Sequence, residues 1–289
     1  MGRSCEGRVA LVTGASRGIG EGAALRLAAE GAAVAAVART RSDGDHRLPG
    51  SLEQLVAAIE NGGGQAIGIP ADLSDPSLDR SEIVAQAEEE LGGKVDILVN
   101  NAARAFYQPF TELTEKRWRI AYELNVWAPW DLARLVLPGM RELGRGAIVN
   151  ISSGVAEPPD LPPNRASGPT MTGCLYGSTK AALNRWTTGL AAETWDDNIT
   201  VNAISPEAAV MTPGAGDYVN LPPESLEPME TMCEAILALC TAEPQELTGR
   251  ITYSLSLIRE LNRSVHTLDG SELLPGWQPA DIDPGRLRS

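Results

Sequence analysis

Short apolar runs alternate with longer stretches whose apolar residues recur at helical spacing, and the alternation continues along most of the chain. Residues 8–13 read as a first strand and residues 18–30 as a first helix. Residues 31–38 read as a second strand, continuously apolar, as expected of a strand covered on both faces. Ser51 caps a helix to about residue 61, with Gln54 placed for a capping box, and Gly62, Gly63 and Gly64 end it. A third strand covers residues 65–71; Pro76 opens a helix to about residue 91, ended by Gly92 and Gly93. Residues 95–99 form a fourth strand. Residues 111–143 carry one long helical pattern interrupted at Pro129, residues 147–152 a fifth strand, residues 176–195 a helix and residues 199–204 a sixth strand. A helix over residues 229–242 and a strand over residues 250–254 close the pattern. This order predicts an α/β fold, a parallel sheet of about seven strands with helices on both faces.

Three segments interrupt the alternation. Residues 40–50, rich in Gly, Asp and Pro, read as a surface loop. Residues 213–228 are irregular and proline-rich, and Tyr218, Leu221 and Leu226 among them suggest a lid. Residues 262–289 show little periodicity and read as a loosely packed or partner-facing arm.

Composition narrows the picture. The 289 residues suit one doubly wound domain with a full core. A net charge of −14 argues against nucleic acid, whose phosphates need clustered Lys and Arg. The four cysteines, Cys5, Cys174, Cys233 and Cys240, make no C-x-x-C, so a metal site is not expected and a reducing cytoplasm is. No apolar stretch approaches a membrane span, and the first residues carry no signal-peptide core.

Chemistry enters at Thr13-Gly14-Ala15-Ser16-Arg17-Gly18-Ile19-Gly20, between the first strand and the first helix. A strand, a glycine turn and a helix place backbone N–H groups at a helix N-terminus, where phosphate binds well. By itself the turn also suits a purely structural role. Asn100-Asn101-Ala102-Ala103 ends the fourth strand, Ile148-Val149-Asn150-Ile151-Ser152-Ser153 the fifth, and Tyr176-Gly177-Ser178-Thr179-Lys180 begins a helix. Together these motifs resemble the short-chain dehydrogenase/reductase family over roughly residues 7–255. The resemblance implies a Rossmann-type doubly wound sheet and a nicotinamide cofactor. Gly14, Ser16, Gly18, Ile19 and Gly20 would then cradle its diphosphate, with Asn101, Ala102 and Ala103 beside it.

NAD enzymes commonly place an acid at the end of the second strand. That position is Ala38, followed by Arg39, Thr40 and Arg41. With no carboxylate to repel it, a 2′-phosphate can sit beside Arg39 and Arg17, so NADP(H) is favoured over NAD(H). Solvated surface arginines are the plainer reading. Asp72, with Leu73 next to it, resembles the family residue at the adenine, and a turn aspartate would look the same.

Tyr176 and Lys180 share a helix face. With five tyrosines and three lysines in the chain, such spacing arises by chance in about one chain in twenty. A tyrosine near pKa 10 is a poor base at neutrality, and bringing it to 7 takes about 4 kcal/mol. A nearby ammonium works in that direction. The family likeness makes Tyr176 the acid/base and has Lys180 lower its pKa and hold the ribose. Ser153 orients the substrate oxygen, with Ser152 as runner-up, and Asn125 organises a water that links Lys180 to solvent. Because Pro129 has no N–H, a kink is expected there, turning the Asn125 carbonyl toward the site.

Two departures from the family pattern stand out. Residues 155–172, with five prolines, lengthen the connection from Ser153 to Tyr176 and are expected to rim the pocket. After the sixth strand, Pro206 is followed by Glu207 in place of glycine. Val210 and Thr212 are still expected to face the carboxamide, and Glu207 to face solvent or a polar substrate group. The expected activity is NADP(H)-dependent interconversion of a secondary alcohol and a ketone or aldehyde on a hydrophobic small molecule. The alternatives are an NAD-preferring alcohol dehydrogenase and a catalytically idle NADP-binding regulator. The resemblance also implies a homotetramer or dimer built through the 111–143 and 176–195 helices.

Overall fold

The computed structural model describes residues 3–159, 173–213 and 226–278. Tyr218, Leu221 and most of the expected lid and pocket rim lie outside the described residues. The chain runs β1 (Val9–Thr13), α1 (Gly18–Ala29), β2 (Ala33–Ala38), α2 (Leu52–Asn61), β3 (Gln65–Pro70), α3 (Arg80–Leu91) and β4 (Ile97–Asn100). It continues through α4 (Glu115–Tyr122), α5 (Ala128–Leu143), β5 (Gly146–Ile151), α6 (Cys174–Glu193) and β6 (Ile199–Ser205). Then come β7 (Ala209–Val210), β8 (Leu226–Glu227), α7 (Met229–Cys240), β9 (Ile251–Tyr253) and α8 (Ser254–Glu260).

Seven strands form one parallel sheet in the order β3-β2-β1-β4-β5-β6-β9. This is the expected doubly wound, Rossmann-type architecture. Side chains alternate across it, as the strand period requires. Ala10 and Val12 of β1 enter a layer with Leu27 of α1 and Ile236 of α7. Val9 and Leu11 enter the opposite layer with Ile83 of α3 and Val136 of α5. The strand order reverses direction between β1 and β4, and a crevice at such a switch point is where this architecture binds ligands.

The structure departs from expectation in four places. The helix expected from Pro76 starts at Arg80, because Asp72 and Asp75 fold the preceding residues into turns by accepting from Ser74 and Ser77. The long helical pattern divides into α4, a π-helical turn over Glu123–Trp127, and α5. β7 and β8 form a separate two-stranded parallel ladder, and α8 follows the last strand directly. Finally, the arm is packed as far as residue 278 is described. Val265 is buried in the core, and Leu274 and Trp277 pack on it. The buried Glu234 carboxylate accepts from Arg26 of α1 at 2.9 Å and from Arg263 of the arm at 2.7 Å, which pins the two together.

Candidate active site

A cleft of about 590 Å³ opens at the carboxyl ends of the strands around the switch point. Gly14, Ser16, Arg17, Arg39, Asp72, Leu73, Asn101, Ala102, Ala103, Tyr176 and Thr212 all line it. Gly18, Ile19 and Gly20 open α1, where the first N–H groups of a helix lack intrahelical partners. Gly20 shows how closely the turn is built: a Cβ there would collide with Asn101 Nδ2 and come within 2.5 Å of the Gly14 carbonyl oxygen. Asn101 Nδ2 donates to the carbonyls of Thr13 and Gly14 at 2.9 and 3.2 Å. The Thr13 hydroxyl accepts from the N–H groups of Asn101 and Ala102 at 3.0 Å each. These bonds stitch β1 to β4 at their open ends and hold a backbone cradle suited to a diphosphate.

At the far end of the cleft Arg17 does not project freely. Its Nε donates to the Pro49 carbonyl, and one terminal nitrogen donates to Thr40 Oγ1 and the Gly50 carbonyl, all at 3.0 Å. Arg17 therefore straps the 40–50 loop onto the glycine turn, and that loop brings His46, Arg47 and Leu48 to the cleft wall. Burial and the neighbouring Arg39 lower the Arg17 pKa. Arg39 faces Asp72 at 3.8 Å, both well exposed. Asp72 also accepts from the Ser74 N–H at 3.0 Å, so its turn role is realised. No pattern in the 40–50 loop marks His46 or Arg47; the only signal was that the loop leaves β2 at its cofactor-facing end.

Tyr176 and Lys180 lie on α6, as their spacing requires. Ser153 is the serine hydrogen-bonded to the Tyr176 hydroxyl. Ser152 Oγ is instead buried, with no hydrogen-bond partner among the described residues. Burial raises the Tyr176 pKa, Tyr107 raises it further, and the Ser153 bond lowers it. Tyr107 meets the Tyr176 ring edge-on, centroids 5.7 Å apart. Lys180 Nζ lies 5.8 Å from the Tyr176 ring centroid and donates to the Ile151 carbonyl at 2.6 Å. Burial lowers the Lys180 pKa to about 7. Burial thus reduces the lysine's charge, and the expected lowering of Tyr176 by Lys180 is not seen: burial of the phenol dominates, and Ser153 is the group that pulls it down.

Asn125 is fully buried in the π-helical turn. The Ala128 N–H reaches back to the Glu123 carbonyl, and Pro129 enters the first turn of α5. The missing proline donor is thus absorbed by a widened turn rather than a simple kink. The Asn125 side chain is taken up by protein: Oδ1 accepts from the Arg104 N–H at 2.9 Å, and Nδ2 donates to the Arg104 carbonyl and Thr179 Oγ1 at 3.0 Å. It thereby ties the loop after β4 to α6 beside the Tyr–Lys pair. Beneath it, Asn100 Nδ2 donates to Asn150 Oδ1 at 2.9 Å, and Asn150 Nδ2 to Thr187 Oγ1 at 2.8 Å. Asn100 and Asn150 stand in motifs the sequence shows, but their bonds were not readable there, because nothing local marks a tertiary hydrogen bond.

Pro206 and Val210 do not line the cleft; Val210 is buried in the core cluster on which Ile19 packs. Glu207 faces neither solvent nor cleft. It is buried, and its carboxylate accepts from the Ser256 N–H at 3.0 Å and the Ser256 hydroxyl at 2.7 Å.

A phosphate cradle beside a serine-bonded tyrosine and a buried lysine defines a nucleotide-binding oxidoreductase. The family model described as short chain dehydrogenase matches residues 8–218, and the chain belongs to that family. It is an oxidoreductase acting on CH–OH groups. A 7alpha-hydroxysteroid dehydrogenase of Escherichia coli (strain K12) is 32% identical over 269 residues, 89% of this chain and 96% of the relative. The solved structure of L-sorbose reductase from Gluconobacter frateurii, complexed with NADPH and L-sorbose, is 28% identical with a TM-score of 0.72, covering 88% of this chain and 97% of that one. A 7alpha-hydroxysteroid dehydrogenase complexed with NADH and 7-oxo glycochenodeoxycholic acid is 30% identical with a TM-score of 0.70, covering 86% and 93%. Among the described residues, no helix is long and apolar enough to cross a membrane.

Proposed function

We propose that this chain is an NADP(H)-dependent oxidoreductase that interconverts a secondary alcohol and a ketone on a hydrophobic small molecule in the cytoplasm. The observation that carries the reading is a single cleft with Arg39 and Arg47 at one end and Tyr176 at the other, beneath which Ser153 and Lys180 gather. The end of β2 is Ala38, so no carboxylate there opposes a 2′-phosphate. When bound, the nicotinamide cofactor supplies the hydride for carbonyl reduction and accepts it in alcohol oxidation. Gly14, Ser16 and the first turn of α1 hold its diphosphate, Arg39 its 2′-phosphate, Asp72 and Leu73 its adenine end, and Lys180 its ribose.

During reduction Ser153 orients the substrate oxygen by hydrogen bonding, and Tyr176 donates its phenolic proton to that oxygen. Lys180 returns the proton toward Tyr176, with the Asn125 main-chain carbonyl holding a water that connects it to solvent. A lysine near pKa 7 suits this relay, since both its protonation states are accessible at neutrality.

A second reading draws on the Arg39–Asp72 pair and the commitment of Arg17 to loop carbonyls, which leave fewer cations for a 2′-phosphate and favour NAD(H). Against it, an exposed pair at 3.8 Å opens at little cost. A second copy of this chain is the proposed partner, giving a dimer or tetramer. Trp118, Trp127 and Trp130, 49%, 47% and 40% exposed, border an apolar groove between α4, α5 and α6, a surface of the kind that copies of a chain cover. The test of function is oxidation of NADPH and NADH against a panel of sugar, steroid and simple ketones. Turnover with NADPH on an apolar ketone supports the reading; tight cofactor binding with no turnover across the panel favours an idle binding protein.

A further inference from the structure

After β6 the chain turns through Glu207 and Ala208 into β7, and Thr212 follows two residues beyond Val210. Thr212 lines the cleft and lies on the glycine turn: a Cβ at Gly18, whose φ is +61°, would be 3.0 Å from Thr212 Cγ2. The conformation of this short segment therefore bears directly on the cradle. Apolar burial alone is a poor way to fix it, because β7 is two residues long and, among the described residues, pairs only with β8.

A buried carboxylate fixes it instead. Glu227, 5% exposed, ends β8 opposite Val210. Its two oxygens accept from the Ser254 hydroxyl at 2.8 and 2.7 Å, at the start of α8. Thr231 Oγ1, in the first turn of α7, lies 2.9 Å from the Glu227 carboxylate and shares its proton between this carboxylate and the Pro228 carbonyl at 2.7 Å. The backbone N–H groups of Glu207 and Ala208 face the same carboxylate and pull its pKa down. Glu207 closes the arrangement from the other side. Its N–H also donates to Ser254 Oγ at 3.1 Å, and its carboxylate accepts from Ser256 in the first turn of α8. Burial pushes the Glu227 carboxyl up to about 7, with the surrounding hydroxyl and N–H donors pulling the other way. No cation pairs with Glu227 among the described residues, so the site serves to join neutral donors from three segments rather than to bury an ion pair.

We infer that Glu227 is a positioning residue for the cofactor cleft: it clamps the Glu207–Ala208 turn to the first turns of α7 and α8 and so sets Thr212 against the glycine turn. The inference rests on the cofactor reading given above. It also gives Glu207 a place: where a glycine would leave the turn free, this side chain ties it to α8.

The experiment measures NADPH affinity by fluorescence, kcat and KM for an active carbonyl, and the urea midpoint, for wild type, Glu227→Ala, Glu227→Gln and Thr231→Val. Loss of the carboxylate acceptor predicts an NADPH Kd raised about tenfold in Glu227→Ala, and loss of one of its donors a Kd raised about threefold in Thr231→Val, with kcat lowered alongside. Glu227→Gln keeps the shape and an acceptor oxygen, and should bring NADPH affinity back to within about threefold of wild type. If Glu227→Ala does not fold, Thr231→Val and Glu227→Gln carry the comparison. Variants that lower the urea midpoint while leaving NADPH affinity and kcat at wild-type values would overturn the inference and leave a purely structural brace. A wild-type chain that binds neither reduced nicotinamide would overturn the cofactor reading, and this inference with it.

Discussion

Lys180 donates to the Ile151 carbonyl at 2.6 Å from a position only 2% exposed, and no carboxylate pairs with it among the described residues. Burial alone brings its pKa from 10.5 to about 7. The unfolded chain therefore binds a proton between these values that the native chain does not. The lysine's effect on stability is absent above pH 10.5, becomes unfavourable as pH falls toward 7, and is constant below. Lys180→Met, which removes the charge and keeps the bulk, should lose turnover yet gain stability over wild type. That gain should grow by at most about 1.4 kcal/mol per pH unit on going from pH 9 to pH 7. Urea midpoints at the two pH values check this; an unchanged difference between them would show that the lysine is not held near neutrality.

Arg39 and Arg17 should separate cleanly at the adenosine end. Arg39→Asp puts a negative charge against the 2′-phosphate and should weaken NADPH binding at least about tenfold more than NADH binding. Arg17→Ala should weaken both cofactors, because it releases Pro49, Thr40 and Gly50 and with them the 40–50 loop that walls the cleft. Equal losses for Arg39→Asp would remove Arg39 from the phosphate site, and a loss confined to NADPH for Arg17→Ala would return Arg17 to it.

The exposed tryptophans should matter only to assembly. Trp127 and Trp130 stack with centroids 5.0 Å apart at the edge of the groove. Trp127→Glu places a charge on that face and should lower the mass measured by light scattering toward that of a single chain, with helix content preserved. An unchanged mass would assign the contact elsewhere.

The fold could be read from the chain because a buried parallel strand leaves a continuous apolar run, as in residues 31–38, and the glycine turn marks where the sheet binds. Tyr176, Lys180 and Ser153 were named through the family resemblance of the motifs that hold them, and the structure brings the three side chains together. What stayed hidden depends on tertiary contact. Arg17 looks like a phosphate ligand until its acceptors in the 40–50 loop are known. Glu207 looks like a solvated substitution for glycine until Ser254 and Ser256 arrive from nearly fifty residues downstream. Pro129 announces a break but not its form, since a π-helical turn and a kinked helix carry almost the same apolar pattern. The Asp-Ser pairs after β3 resemble the start of a helix because the same side chains cap helices and turns.

The proton donor is the centre of this account, and Tyr176→Phe tests it most directly. The phenyl ring keeps the packing against Tyr107 but has no proton to give. The measurement is turnover of NADPH with an active carbonyl, alongside NADPH affinity of the same variant. The account predicts turnover lowered by about a thousandfold or more with affinity within a few-fold of wild type. Substantial turnover in Tyr176→Phe with intact affinity would contradict it and place the proton donor on another group in the cleft.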